Sequence, residues 1–235
     1  MSSLHVLPVR TGAAAENMAL DFLLLQRYPA TAAPRFRHYE WRGPAFTFGF
    51  SQKIAFVRAN LPSGESVDLC RRPTGGGIVD HRNDWTYSLV LPRGHALYDE
   101  RAAQSYRIVH ECLTQALVAL AQPAQVKTEC EACAEDAIGG VCFQRAELYD
   151  VVNARTGAKI AGAAQKRNKH GLLFQGSIEK AALGDIDWED FATRFVSALG
   201  TALRVDIQEM PWPELNEAEV EGLIEQYSAP EWIEY

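Results

Sequence analysis

The chain has 235 residues, 47% of them hydrophobic and 23% charged, a balance that buries a sizeable core and excludes a disordered chain. Lys and Arg number 23 against 30 Asp and Glu, for a net charge of −7, which argues against a dedicated nucleic-acid binder. No run approaches the roughly 18 consecutive apolar residues of a membrane span, and the start MSSLHVLPVRTG lacks the apolar centre of a signal peptide. A cytoplasmic protein with no nucleic-acid or membrane partner is expected, its five cysteines free thiols in a reducing compartment.

In chain order, Ala13–Tyr28 carries Met18, Phe22 and Leu25 on one face of an amphipathic helix. Phe36–Trp41 and Ala45–Phe50 are short, aromatic-rich strands around an Arg-Gly-Pro turn. Ser66–Arg71 and Trp85–Leu91 are strands, with Thr74-Gly75-Gly76-Gly77 between them. Tyr98–Leu120 aligns Tyr106, Val109, Leu113, Leu117 and Leu120 on a helix ended by Gln122-Pro123. Ala121–Gly140 is polar and acidic and reads as a long loop. Tyr149–Ala154, Lys159–Arg167 and Leu172–Ile178 form a three-stranded meander. Asp187 caps a helix over Trp188–Leu203, and Asn216 with Glu219 starts another over Glu217–Tyr227. There is no internal repeat. The order of elements is α+β, in one domain over 1–235 whose C-terminal helices begin near 187.

Three stretches carry chemistry. In Arg71–His81 (RRPTGGGIVDH), the glycines allow positive φ and close approach to a ligand, successive N–H groups can hold an anion, and the arginine pair adds charge. A bare triple glycine also fits a tight turn beside two surface arginines, and the motif alone does not separate the two. In Lys159–Gly171, Lys159 opens a strand and Gly162 breaks it where a ligand or a backbone approaches. Such a lysine either polarises a carbonyl or guards a sheet edge. The third stretch is Gly-Gly-Val-Cys142-Phe143, in which Cys142 is either a small buried hydrophobe or, beside a lysine, a nucleophilic thiolate.

These blocks resemble the lipoate/octanoate branch of the biotin/lipoate protein ligase and transferase family. Arg71–His81 is similar to that family's R-R-x-x-G-G-G-x-V-x-H loop, Lys159–Gln165 to its K-x-x-G-x-A-Q strand, and LFQGSI at 173–178 to the strand after it. ENMALDFLL at 16–24 and FRHYEWRGPAFTFGFSQ at 36–52 resemble its first helix and first hairpin, so five ordered blocks match between Glu16 and Ile178. The resemblance implies a biotin/lipoyl ligase-like (class II synthetase-like) domain: a mixed, largely antiparallel sheet flanked by helices, with the acyl site under the glycine loop.

Within the family, Thr86-Tyr87-Ser88, the position of Cys142 and the short stretch after the last helix resemble the cysteine-dependent octanoyltransferases. The implied activity is transfer of an octanoyl or lipoyl group from an acyl carrier protein or an acylated lipoyl protein to a lysine of a lipoyl-carrier domain. Cys142 and Lys159 would be catalytic. Arg71, Arg72, Thr74, Gly75, Gly76, Gly77, His81, Gly162 and Ala163 would bind substrate. No cofactor or metal is implied, whereas ATP and Mg2+ would be needed if the chain were instead a lipoate-protein ligase. A non-catalytic binder of acylated carrier domains is a third reading.

Three features depart from the family pattern. Gln144-Arg145-Ala146 replaces a small-residue–Pro pattern, Ile78 stands where Ala is usual, and the Cys130/Cys133 loop matches nothing. That pair is either two incidental thiols or half a zinc set that Cys142 and His170 would complete. Lys166, Arg167 and Lys169 are a solvated turn or a dock for an acidic carrier. His38 and His110 carry no assigned role, and Trp41, Phe46, Phe48 and Phe50 are expected in the core.

Overall fold

The computed structural model describes residues 3–129 and 145–235. β1 (Ser3–Gly12), α1 (Ala14–Gln26) and β2 (Arg35–Trp41) form a parallel βαβ unit. Pro8, which hid β1 from a strand reading, sits where the β1–β2 register shifts between Leu7 and Arg10, because a bulge tolerates a missing N–H. The chain then leaves this sheet. β3 (Ala45–Phe48) pairs in parallel with β4 (Asp68–Arg71), through α2 (Ile54–Ala59), and antiparallel with β5 (Val79–Asp80). The expected first hairpin is therefore not one. Gly43, at φ +86, turns the backbone out of one sheet and into a second one of three strands.

The large sheet continues with β6 (Asp84–Pro92). The expected long helix is split into α3 (Ala96–Asp99) and α4 (Ala102–Ala119), and β7 (Ala124–Val126) lies inside the stretch read as loop. The expected meander is present as β8 (Val151–Asn153), β9 (Lys159–Asn168) and β10 (Gly171–Glu179), paired antiparallel in sequence order. After α5 (Trp188–Leu203), β11 (Asp206–Glu209) adds in parallel to β1, giving the order β11-β1-β2-β6-β10-β9-β8-β7. α6 (Glu217–Ser228) and α7 (Pro230–Ile233) close the chain. The mixed sheet flanked by helices is the expected α+β architecture.

Both C-terminal helices start on their expected caps. Asp187 accepts from the N–H groups of Glu189 and Asp190, and Asn216 from that of Glu219. The Glu219 side chain does not close a capping box; it binds Arg27 instead. At α1, Asp68 of the other sheet accepts from Ala14 N–H at 2.6 Å, a carboxylate meeting the positive end of the helix.

β6 is buried along its whole length, and its two faces differ. Trp85, Tyr87 and Leu89 join Phe174, Phe191 and Phe195 in the main core under α4 and α5. Asp84, Thr86 and Ser88 alternate onto the opposite face, toward α1 and the small sheet, and this polar face carries the site.

Candidate functional site

The backbone register sets one row of side chains across four strands of that face: Gly162 beside Ser177, Ser177 beside Thr86, Thr86 beside Tyr39. Three strand spacings make the row about 14 Å long. Above it lies a slot roofed by the glycine loop and α1, lined among others by Met18, Trp41, Thr47, Gly76, Val79 and Ala164. Its enclosed volume is about 40 Å³, a narrow cleft that continues into its open mouth. Gly162 and Ala164 keep the β9 end of its floor low, and Met18, Val79 and Trp41 give it apolar walls. Trp41, expected in the core, packs half-buried against the cluster of Ala14, Met18 and Tyr227, and it also stacks on His81 at 4.0 Å and donates its indole N–H to Thr86.

The glycine loop is held from below. Only Gly76 of the three glycines has a positive φ, at +90, where a side chain would be strained. Arg72 donates to the carbonyls of Gly75 and Gly77, both at 2.9 Å, and to the Thr47 hydroxyl at 2.7 Å. Thr47 also meets His81 Nε2 at 2.7 Å, and His81 Nδ1 meets Asp84 Oδ2 at 2.7 Å. Asp84, held as a carboxylate, can only accept, so the ring nitrogen facing it, Nδ1, is the donor. Asp84 is buried, which pushes its pKa up, but His81 and the hydroxyls of Ser177 and Thr86 outweigh this and hold it below the usual carboxylate range. The loop therefore rests on a chain of contacts that ends in a buried anion.

Thr74 is tied from a second direction. It donates to Gln175, whose amide donates to Asp21 at 2.7 Å, and Asp21 pairs with Arg37 at 2.8 Å with both side chains fully buried. Ser88 donates to the same carboxylate. Gly49 makes the remaining space: a Cβ there would stand 2.1 Å from the Gly76 carbonyl oxygen.

Arg71 lies elsewhere. Its guanidinium donates to the carbonyls of Phe50, Gln52, Trp232, Ile233 and Tyr235. It binds the C-terminal segment to the base of the loop and does not line the slot, whereas Arg72 and His81 do.

At the other end of the row, Lys159 pairs with Asp150 at 2.7 Å, with side-chain exposures of 5% and 0%. Its Nζ and Cε stand 2.7 Å from where a Cβ on Gly162 would be, so the ammonium occupies the space the glycine leaves. Asp150 also accepts from Tyr106 Oη and from the N–H of Glu147, and Tyr106 Oη in turn accepts from Ala163 N–H at 2.9 Å. His110, whose Nδ1 donates to the Tyr149 carbonyl, packs on Tyr106 at 4.2 Å. Burial lowers its pKa to about 4, so it is neutral.

Gly162, Ala163, Gly76, Arg72 and His81 thus meet around one slot, with Lys159 at its Gly162 end. Cys142, Cys130 and Cys133 lie outside the described residues, as does Gln144. Among the described residues no group of three or more His, Cys, Asp or Glu side chains is placed to hold a metal ion, and no helix is long and apolar enough to cross a membrane. In the β9–β10 turn region, Lys166 sits over the Phe50 ring and Arg167 over Tyr98. His38 stacks on Trp85 at 4.3 Å.

The model of the lipoyl protein ligase A/B catalytic domain matches residues 13–195. The chain belongs to that family. The octanoyltransferase LipM of an Exiguobacterium species is 25% identical to this member over 97% of both chains. That of Bacillus cereus is 34% identical over 69% of this chain and 60% of its own length, so the chain spans under two thirds of that relative. Among solved structures, a lipoate-protein ligase A bound with ATP superposes with a TM-score of 0.74 at 19% identity, covering 100% of this chain and 99% of the other. A bipartite lipoate protein ligase from Thermoplasma acidophilum, studied with its E2 lipoyl domain, gives 0.73 at 19% identity, covering 100% and 97%. At that identity the likeness is one of fold, and the mixed sheet flanked by helices is the catalytic fold of the lipoate ligases.

Sequence reading missed Asp21, Arg37, Thr47, Asp84, Tyr106, Asp150 and Gln175. Asp84, Thr86 and Ser88 did carry a signal, polar residues at every second position of a strand otherwise apolar. Asp150 carried none, because it reads as an ordinary residue at a turn.

Proposed function

We propose that this chain is an acyltransferase of protein lipoylation, moving an octanoyl or lipoyl group from a carrier donor to a lysine of a lipoyl-carrier domain without ATP or metal. The observation that carries the reading is the slot: small, apolar-walled, closed by a glycine loop and ended by a buried lysine, in a family member whose relatives include octanoyltransferases. An acyl chain would lie along the row from Gly162 toward Tyr39, with its carbonyl at Lys159.

The chemistry would run in two steps. The Cys142 thiolate attacks the donor's thioester carbonyl; the new carbon–sulfur bond forms as the donor's breaks, and the donor leaves as a thiolate that takes a proton from solvent. The acceptor lysine, as its free amine, then attacks the Cys142 thioester, an amide forms, and the amine's proton is released as Cys142 returns to thiolate. Two easier steps replace one difficult transfer. Lys159 stabilises negative charge on the carbonyl oxygen in both. Arg72 and His81 hold the loop over the chain, and Lys166, Arg167 and Lys169 offer positive charge to an acidic donor. The whole chain, 1–235, would act as one catalytic unit.

The test is a pair of reactions with a lipoyl domain as acceptor. One supplies an octanoyl-carrier thioester without nucleotide, the other free octanoate with Mg-ATP. Transfer in the first and none in the second is expected. Efficient use of free octanoate with ATP, and none of the thioester, makes the chain a ligase. Failure of both reactions leaves a binder of acylated domains.

A further inference from the structure

The acid–base groups around Lys159 have an order that the proposed chemistry does not itself require. We infer that Asp150 is the positioning residue of the site: it holds Lys159 as an ammonium ion against Gly162, so that the lysine serves as a fixed positive charge for the acyl oxygen and not as a base. This inference rests on the acyl-transfer reading and specifies how its lysine works.

Every acceptor site seen on Asp150 favours the carboxylate. One oxygen takes the Tyr106 hydroxyl, and the other takes Glu147 N–H and Lys159 Nζ, each at 2.7 Å. Donors on both oxygens hold the carboxylate in one orientation, with Lys159 Nζ on the oxygen that also takes Glu147 N–H. Tyr106 links the pair to the substrate strand, because the hydroxyl that donates to Asp150 also accepts from Ala163 N–H beside Gly162. The turn that delivers Asp150 is fixed as well. Tyr149 takes a left-handed backbone at φ +69, strain that persists only where surroundings impose it. Its carbonyl is held by His110, and its N–H donates to the Lys127 carbonyl.

Among the described residues, the titratable groups near the pair include Tyr106 and His110 from α4, Tyr87 from β6, Glu147, whose N–H is on Asp150, and Lys127, whose main chain bonds to Tyr149 and Asp150 and whose ammonium donates to the Ala146 carbonyl. His110 is kept neutral by burial and Tyr87 is pushed well above its ordinary value by the same cause, so neither competes as a counter-ion. Asp150 is in direct contact with Lys159.

The experiment compares wild type with Asp150→Asn, reading kcat and KM for acyl transfer across pH. Asn keeps the shape and the Tyr106 contact but removes the charge. The expected result is a loss in kcat of about 10²–10³-fold, a much smaller change in KM, and an alkaline limb moved down by about one to three pH units as the lysine loses the Asp150 charge. Asp150→Glu should recover part of the rate and return the limb toward wild type. Full kcat with an unmoved limb in Asp150→Asn overturns the inference.

Should Asp150→Asn not fold, the wild-type protein decides through the 13C resonance of Lys159 Cε, assigned with Lys159→Arg. It should remain ammonium-like at every pH where the protein is folded. Titration to the amine below the ordinary lysine value of about 10.4 overturns the inference. That readout needs no turnover, so it stands even if wild type transfers no acyl group and the functional reading fails.

Discussion

Lys159 folds back along its own strand until its ammonium fills the space that a Cβ would take on Gly162. The glycine is therefore a berth for a charge as well as a break in the strand, which gives the spacing of Lys159 and Gly162 a physical meaning. The obstacle to Gly162→Ala is mainly the end of a flexible side chain, so the variant should fold. It should displace the ammonium and lower kcat by about 10²–10³-fold, the usual loss of one electrostatic donor. Circular dichroism and steady-state kinetics check both halves.

The glycines around the loop differ in what they do. Nothing lies within 4 Å of a Cβ on Gly75, whereas on Gly76 it would add a side chain at φ +90 and stand 3.2 Å from Arg72 Nη2. On Gly49 it would meet the backbone of the loop itself. Gly75→Ala should therefore behave as wild type in thermal melts. Gly76→Val should cost about 1–3 kcal/mol through backbone strain and abolish most transfer. Gly49→Ala should be the most damaging, because a carbonyl cannot rotate away as a side chain can.

Arg71 predicts a stability effect without a direct effect on chemistry. Arg71→Met removes donors from carbonyls of Trp232, Ile233 and Tyr235. A loss of about 2–4 kcal/mol is expected from charged hydrogen bonds of this kind. Hydrogen exchange should rise first in residues 229–235, ahead of the main sheet.

Acid should act in two windows. His110 has its folded pKa lowered to about 4 by burial, from 6.5, so between those values the unfolded chain binds the proton that the folded one refuses. Stability should fall on the order of 3 kcal/mol as pH drops through that window, and His110→Gln should flatten the slope. Asp84 acts lower. Its folded pKa is depressed below 3.8, so its contribution is present above that value and is lost as pH falls through the folded one. Urea titrations at a series of pH values would resolve both.

Much of the fold was legible from local pattern. The meander over β8, β9 and β10 and the Asp187 and Asn216 caps follow from periodicity and turn chemistry; α1 is a helix as expected, but it is buried nearly all round and not on one face alone. What was not legible depends on pairing between distant segments. β3 looks like a hairpin partner of β2, yet pairs with β4 and β5 because its four residues are buried on both faces of a different sheet. β11 is exposed along its length and has no hydrophobic pattern to betray it. At the site, the glycine loop, Lys159 and Gly162 were visible as residue types in unusual company. The carboxylates that hold them, Asp84 and Asp150, gain meaning only once the fold brings His81 and Lys159 to them. The paired arginines looked equivalent in sequence and are not, since Arg72 faces the loop and Arg71 the C-terminal segment.

Intact-mass analysis with peptide mapping, after incubation with an octanoyl-carrier thioester and no acceptor, is the most direct measurement of covalent transfer. One octanoyl group should appear on the protein, map to Cys142, leave on treatment with hydroxylamine, and be absent from Cys142→Ala. It should form without ATP and pass to a lipoyl domain when that is added. A Cys142→Ala protein that carries the acyl group to the lipoyl domain at near wild-type rate would contradict the thioester mechanism.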